Sequence, residues 1–296
     1  MKRLVALVLA CMAGCNSAQP PPAIEVLASS RLEEPLAGYL EDFTAETGIP
    51  VAVSWGESGE QVDGLTDKSG GPVDVIVTDN AADIWRAADR GALRPIESPA
   101  LARQPAHVRD PDGYWGMLEV RPHAIYHHGQ TRPIVASVQE LGNADFAGRI
   151  CLSSSRLAVN RSLIAYLIDA NGVRETERLV RRWVRNLSHP PFPSEAQLLE
   201  AVGDGSCEYG IAGWGTSGTV SGATPFLSQP ETVDISAVGV NRHAVQAESA
   251  QDLVDWLLRE RAMRLPSPPE TLPPAVRLAG WNDEEARLLA ERAGYR

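Results

Sequence analysis

Between Ala23 and Leu93 the chain alternates strand and helix three times, and this alternation narrows the possible folds more than any other feature of the sequence. "AIEVLASS" is an extended apolar run, followed by a stretch in which Leu36, Leu40 and Phe43 share a helical face before Gly48. Ser30 is expected to cap that helix. "IPVAVSW" forms a second strand and "EQVDGLTDK" a short helix. "PVDVIVTD" forms a third strand, and "AADIWRAADRGAL" a helix with Ile84 and Ala88 inward and Gly91 at its end. Such a β-α-β-α-β-α run needs a parallel sheet covered on both faces, and sheets of this kind hold ligands beyond the carboxyl ends of their strands. Those ends are "ASSR", "WGESG" and "TDNA". The candidate ligand-binding residues they supply are Ser29, Ser30, Arg31, Trp55, Glu57, Ser58 and Asp79. Any one of them alone reads as a cap or a turn former; three polar strand ends together mark a cleft.

The second half repeats the alternation. "HAIYHH" is a strand, and "GRICLSSSRLAVNRSLIAYLIDANG" a strand and a helix that buries Leu163, Ile164 and Leu167. Leu179, Trp183 and Leu187 form one stripe of a further helix, after which "QLLEAVGDG", "CEYGIAGWG", "DISAVGVNRHA" and "AQDLVDWLLRERAM" alternate helix and strand. Ser153, Ser154 and Asn160 extend the polar floor of the cleft. In "IAGWGTSG" the glycines Gly213, Gly215 and Gly218 free the backbone for close approach, which makes Gly215 a candidate as well. Trp55 and Trp214 sit on cleft-edge loops, where an indole either stacks on a ligand or packs into the core. Arg121 lies just before a strand that crosses between the halves. It is available to a carboxylate or phosphate, or to a neighbouring acid.

The opening "MKRLVALVLACMAGCNSAQPPP" pairs Lys2 and Arg3 with an apolar run too short to span a bilayer, and reads as an export signal. Residues 1–14 are expected to be removed, leaving Cys15 as a lipidation site and 15–23 as a Pro-rich tether. Cys11 fits the cut less well, because Leu9 is bulky beside it. A secreted, unlipidated product is the alternative. Of 27 basic residues, loss of Lys2 and Arg3 leaves 25 against 38 acidic ones, a net charge of −13. That surface repels nucleic acid, and no basic stripe offsets it. With the export signal, the protein is expected to be exported and periplasmic or cell-surface, held by a lipid anchor. In such a compartment the remaining pair, Cys151 and Cys207, reads as a disulfide, since no His lies at ligand spacing beside them.

Several stretches, "PVDVIVTDNAADIWRAADRGALRPIES", "FAGRICLSSSRLAVNRSLIAYLI", "SCEYGIAGWGTSG" and the closing "ERAGYR", resemble the periplasmic ferric-iron-binding proteins of bacterial ABC importers. The resemblance runs in order along nearly the whole mature chain. It implies an α/β, two-lobed periplasmic-binding-protein fold with a hinge of crossing strands and a ligand cleft between the lobes. Lobe 1 would comprise 24–120 plus 237–264, and lobe 2 would comprise 121–236 plus 265–296. It also implies a monomer that hands its small-molecule ligand to an ABC permease in the inner membrane.

The iron ligands of that family are not retained. Gly215 and Thr216 stand where two tyrosines fall, which makes Thr216 a ligand-binding candidate by position, Val138 where a third does, and Leu32 where a histidine does. Ferric iron is a hard ion that needs charged oxygen donors, and none of the four provides a phenolate, carboxylate or imidazole. No cofactor is therefore expected, and ferric iron only as a chelate; the solute is expected to be anionic or an iron chelate. An enzyme would need Ser217 or Ser154 as nucleophile with His123 or His243 as base, and "GTSGT" lacks the nucleophile-elbow spacing. A sensor or scaffold lipoprotein that kept the fold without transport is the other reading.

Overall fold

The computed structural model describes residues 21–67, 71–129, 135–215, 220–228, 232–260 and 276–296. The first strands and helices are β1 (Ile24–Ser29), α1 (Glu33–Thr47), β2 (Val51–Gly56), α2 (Ser58–Asp67), β3 (Val75–Thr78) and α3 (Ala81–Asp89). They follow the alternation read from the sequence. β1 pairs parallel with both β2 and β3, so the polar strand ends emerge on one edge. All four residues of β3 are buried, as required of a strand covered on both faces. α1 ends where Gly48 takes φ 71°, a left-handed cap open to glycine.

Ser30 does not cap α1. The chain first makes a tight 3-10 turn over Ser30–Leu32, capped by Ser29, whose hydroxyl accepts from the Arg31 N–H. α1 then starts at Glu33, and Glu33 and Glu34 complement its N-terminal dipole. In α3, Ile84 and Ala87 are buried and Ala88 is half-buried.

Next come β4 (Leu93–Arg94), α4 (Pro99–Arg103) and β5 (Trp115–His128), then β6 (Ile150–Leu152), α5 (Ala158–Asn171), α6 (Val173–Asn186) and α7 (Glu195–Gly203). The rest is β7 (Tyr209–Gly213), β8 (Ala223–Leu227), β9 (Val233–Asn241), α8 (Ala247–Glu260), α9 (Arg277–Trp281) and α10 (Asp283–Ala293). The strand order is β2-β1-β3-β9-β5-β7-β6, with β4 on β9 and β8 on β5.

β5 belongs to both halves. Trp115–Pro122 pairs antiparallel with β9, which itself pairs with β3. His123–His128 pairs instead with β7 and β8. Arg121 thus lies inside this strand rather than before it, because pairing with β9 starts the strand six residues earlier, at Trp115. β8 was not anticipated, since "ATPFL" has neither clean alternation nor a β-branched run.

Apolar cores flank the sheet. Leu36, Leu40 and Phe43 of α1 pack with α8 side chains on one face, and Val62, Ile84 and Ala279 on the other. In the second half Leu163, Ile164, Leu179 and Trp183 share a core with Leu289 and Tyr295. Trp183 also donates from its Nε1 to the Val138 carbonyl at 2.9 Å, satisfying the indole in the interior. Cys151 and Cys207 are joined across a Cα separation of 5.9 Å, as the sequence suggested. Among the described residues no helix is long and apolar enough to cross a membrane.

Candidate functional site

Four charged side chains converge where the strand ends of the two halves meet. Arg31, just past β1, reaches Asp79 beyond β3 (Nε to Oδ2, 3.7 Å) and Glu195 at the start of α7 (Nη1 to Oε2, 3.4 Å). Arg121 approaches the same Glu195 oxygen from β5 at 3.7 Å. The other Glu195 oxygen accepts the Gly213 N–H, at the end of β7, at 2.7 Å. α7 packs against β7 and β5, so Glu195 belongs to the second half while Arg31 and Asp79 belong to the first. Asp79 is held in turn by the Ser58 hydroxyl, which donates to its Oδ1 at 2.7 Å, and by the Asn80 amide at 3.2 Å.

The glycines of "IAGWG" now have a use. A Cβ at Gly213 would sit 2.6 Å from Arg121 Nε and 2.8 Å from its Cδ, so only glycine lets the guanidinium lie against the end of β7. Burial opposes the Arg121 charge, but Glu195, Asp234, Asp79 and Glu119 outweigh it and leave its pKa above the ordinary value. Asp234 stands opposite Arg121 in the β5–β9 register. Its Oδ1 accepts from the Ala81 and Ile235 N–H groups, each at 2.9 Å, while Oδ2 is buried without a hydrogen bond. Burial raises its pKa to about 6 despite Arg121.

Sequence reading missed Glu195 and Asp234. Ser194 caps α7 by accepting from the Gln197 N–H, and an acid in the first helical turn is ordinary helix chemistry, so Glu195 carries no local mark. Only the tertiary structure brings it against two arginines.

The other candidates divide. Ser153 and Asn160 are buried and spent on each other: the Asn160 amide donates to the Ser153 hydroxyl and to the Ser153 and Ser154 carbonyls at 2.9–3.1 Å. They are struts; Ser153 bridges to Phe192, three residues before Glu195, and so fixes the approach to it. The Ser154 hydroxyl accepts from the Arg156 N–H, and Ser30 is exposed. Trp55 and Glu57 line a separate cavity of about 510 Å³ with Gln61 and His243. Trp55 and Trp214 are each half-buried against a core. Gly215 is exposed at φ 77°, and Thr216, like Cys15, lies outside the described residues. A cavity of about 700 Å³ between Trp85, Tyr114 and Trp281 is lined by none of the strand-end residues.

Leu32 and Val138 are core residues. All six tyrosines are described, and none offers a free phenolate at the strand ends. Tyr126 donates to the Gly213 carbonyl at 3.2 Å and Tyr295 to the Ser153 carbonyl at 2.6 Å, and burial raises the pKa of both. Tyr166 is buried and its pKa is likewise raised by desolvation, Tyr209 packs edge-on against Phe146, and Tyr39 against Trp256. His123 is buried between the Val159 carbonyl and the Thr232 hydroxyl, each at 2.9 Å, and desolvation lowers its pKa to about 4. It is a structural group. His189 lies 3.7 and 4.0 Å from the sulfurs of Cys151 and Cys207, but sulfurs bonded to each other offer no thiolate.

The family model for bacterial extracellular solute-binding proteins matches residues 24–265. Iron uptake protein A1 of Synechocystis is 29% identical over 240 residues, 74% of this chain and 67% of that protein. Iron uptake protein A2 of the same organism is 26% identical over 214 residues, 65% of this chain and 62% of that protein. A Trichodesmium protein solved in complex with iron and citrate ligands superposes with a TM-score of 0.82 at 24% identity, covering 93% of this chain and 100% of that one. A ferric binding protein from Campylobacter jejuni gives 0.81 at 18% identity, covering 92% and 99%. The fold is therefore the two-lobed one expected, the molecule is a binding protein rather than an enzyme, and the chain belongs to the bacterial extracellular solute-binding proteins.

Proposed function

We propose that the protein captures ferric iron already wrapped in a carboxylate chelator and delivers it to an ABC permease. One observation carries this: Arg31 and Arg121 meet Asp79 and Glu195 at the strand ends of the two halves. A bare ferric ion would find hard carboxylate oxygens there, but beside two arginines and with no phenolate. A free anion would find guanidinium donors, but would add negative charge beside Asp79, Glu195 and Asp234, which is costly in a water-poor cleft. A metal–carboxylate chelate suits both: its carboxylates face the arginines, and its metal faces the acids. The Trichodesmium relative with iron and citrate ligands supports the same choice.

The cleft would close by motion about β5, with lobe 1 formed by 24–120 plus 237–264 and lobe 2 by 121–236 plus 265–296. Ser29, Ser30, Ser58 and Ser154 would border the solute. Delivery to a permease fits an anchor at Cys15, whose replacement by Ser should move the protein from the detergent to the aqueous phase on partitioning. A thermal-shift screen of ferric chelates, phosphate, phosphonates and small carboxylates tests the solute class. Ferric carboxylate chelates should raise Tm most, and a larger shift with phosphate or a phosphonate would overturn the assignment.

A further inference from the structure

Glu195 is a carboxylate 1% exposed at its side chain, yet it meets three donors that would otherwise serve a solute: Arg31, Arg121 and the Gly213 N–H. The arginines cover it from outside, at 32% and 21% side-chain exposure. Its two oxygens divide the work. Oε1 is tied to its own half through Gly213, and Oε2 faces Arg31 of the opposite half. Asp79 holds Arg31 from the other side and is itself fixed by Ser58 and Asn80.

We propose that Glu195 is a built-in anion that occupies the donor set of the cleft, draws the halves together when no solute is bound, and excludes small free anions such as acetate or phosphate. This rests on the strand ends being the solute site and goes beyond the choice of solute by naming the residue that sets selectivity. A carboxylate linked to the fold is always present at high effective concentration, so a free monoanion competes poorly for the same donors. A chelate that brings its own cation can take Arg31 while giving Asp79 or Glu195 a new positive partner, and is not excluded. Separating the halves breaks the Arg31–Glu195 contact, whereas Arg121 sits on the strand both halves share.

The test uses no chelate, so its result is independent of whether iron is the cargo. Glu195→Ala empties the donor set. Acetate should then raise its Tm saturably by roughly 2–4 °C, with no comparable effect on the unmodified protein or on the Glu195→Ala/Arg31→Gln double variant. Acetate acting no more strongly on Glu195→Ala than on the unmodified protein would overturn the proposal. Should Glu195→Ala fail to fold, solution X-ray scattering of Glu195→Gln and of the surface variant Arg31→Gln decides. Both should be more extended than the unmodified protein without solute, and identical scattering from all three would overturn it.

Discussion

Arg31 and Glu195, 164 positions apart in the chain, meet at 3.4 Å and join the end of β1 to the start of α7. Around this contact the strand ends of both halves carry two arginines and two carboxylates, with Asp234 opposite Arg121. In the function proposed above, the selectivity and the closure of the cleft would both follow from how a solute rearranges this group.

Arg31 is the more exposed of the two arginines, and its loss should weaken chelate binding without unfolding the chain. Arg31→Ala is expected to cost about 1.5–3 kcal/mol of binding free energy, the worth of a charged hydrogen bond. Calorimetry with ferric citrate on folded protein measures it; unchanged affinity would remove Arg31 from the site.

Gly213→Ala probes the opposite wall. The added methyl would stand 2.6 Å from Arg121 Nε, so the guanidinium must swing away from β7 while the strand keeps its pairing. Binding should fall by about tenfold or more, with a far-UV spectrum like that of the parent protein. A binding curve that does not move would show that Arg121 is not held by this approach.

The Cys151–Cys207 bond joins β6 to the segment entering β7 and closes a loop with a sequence separation of 56. Replacing both residues by Ser should cost about 2–5 kcal/mol of stability, read from denaturant melts. Mass spectrometry finding two free thiols in protein prepared without reductant would refute the bond.

Two buried groups give the acid range opposing slopes. His123 is held neutral with a pKa of about 4, so its contribution is complete above the unfolded value of 6.5 and is lost as pH falls towards 4. Asp234, raised from 3.8 to about 6, works the other way: its neutral form suits the fold, and stability is lost as pH rises from 4 to 6. Asp234→Asn should therefore gain stability more steeply than the parent between pH 4 and 6 in urea melts. In nuclear magnetic resonance the His123 ring should stay neutral at pH 5. An imidazole titrating near 6.5 would contradict the burial described for it.

Most of the fold was legible because periodicity and glycine placement are local. Leu36, Leu40 and Phe43 announce α1, Gly48 ends it, and "PVDVIVTD" is too continuously apolar for anything but a covered strand. Arg31, Ser58 and Asp79 were legible as neighbours in one polar cluster because they follow strand ends. Glu195 was not, since an acid after a Ser cap looks like any helix start, and Asp234 was hidden within a strand. Ser153 and Asn160 pointed the wrong way: polar residues at a helix entrance suggested donors for a solute, but each satisfies the other. Side-chain pairing across the chain is what local pattern cannot show.

The central claim is that the cleft takes a ferric chelate rather than a bare ion or a bare acid. Incubation with ferric citrate followed by desalting, with iron and citrate both quantified, tests it most directly. One iron should be retained together with citrate, without the visible charge-transfer colour of tyrosinate ligation, and citrate alone should not be retained. Iron held without citrate on a red or orange protein, or no iron held at all, would contradict it.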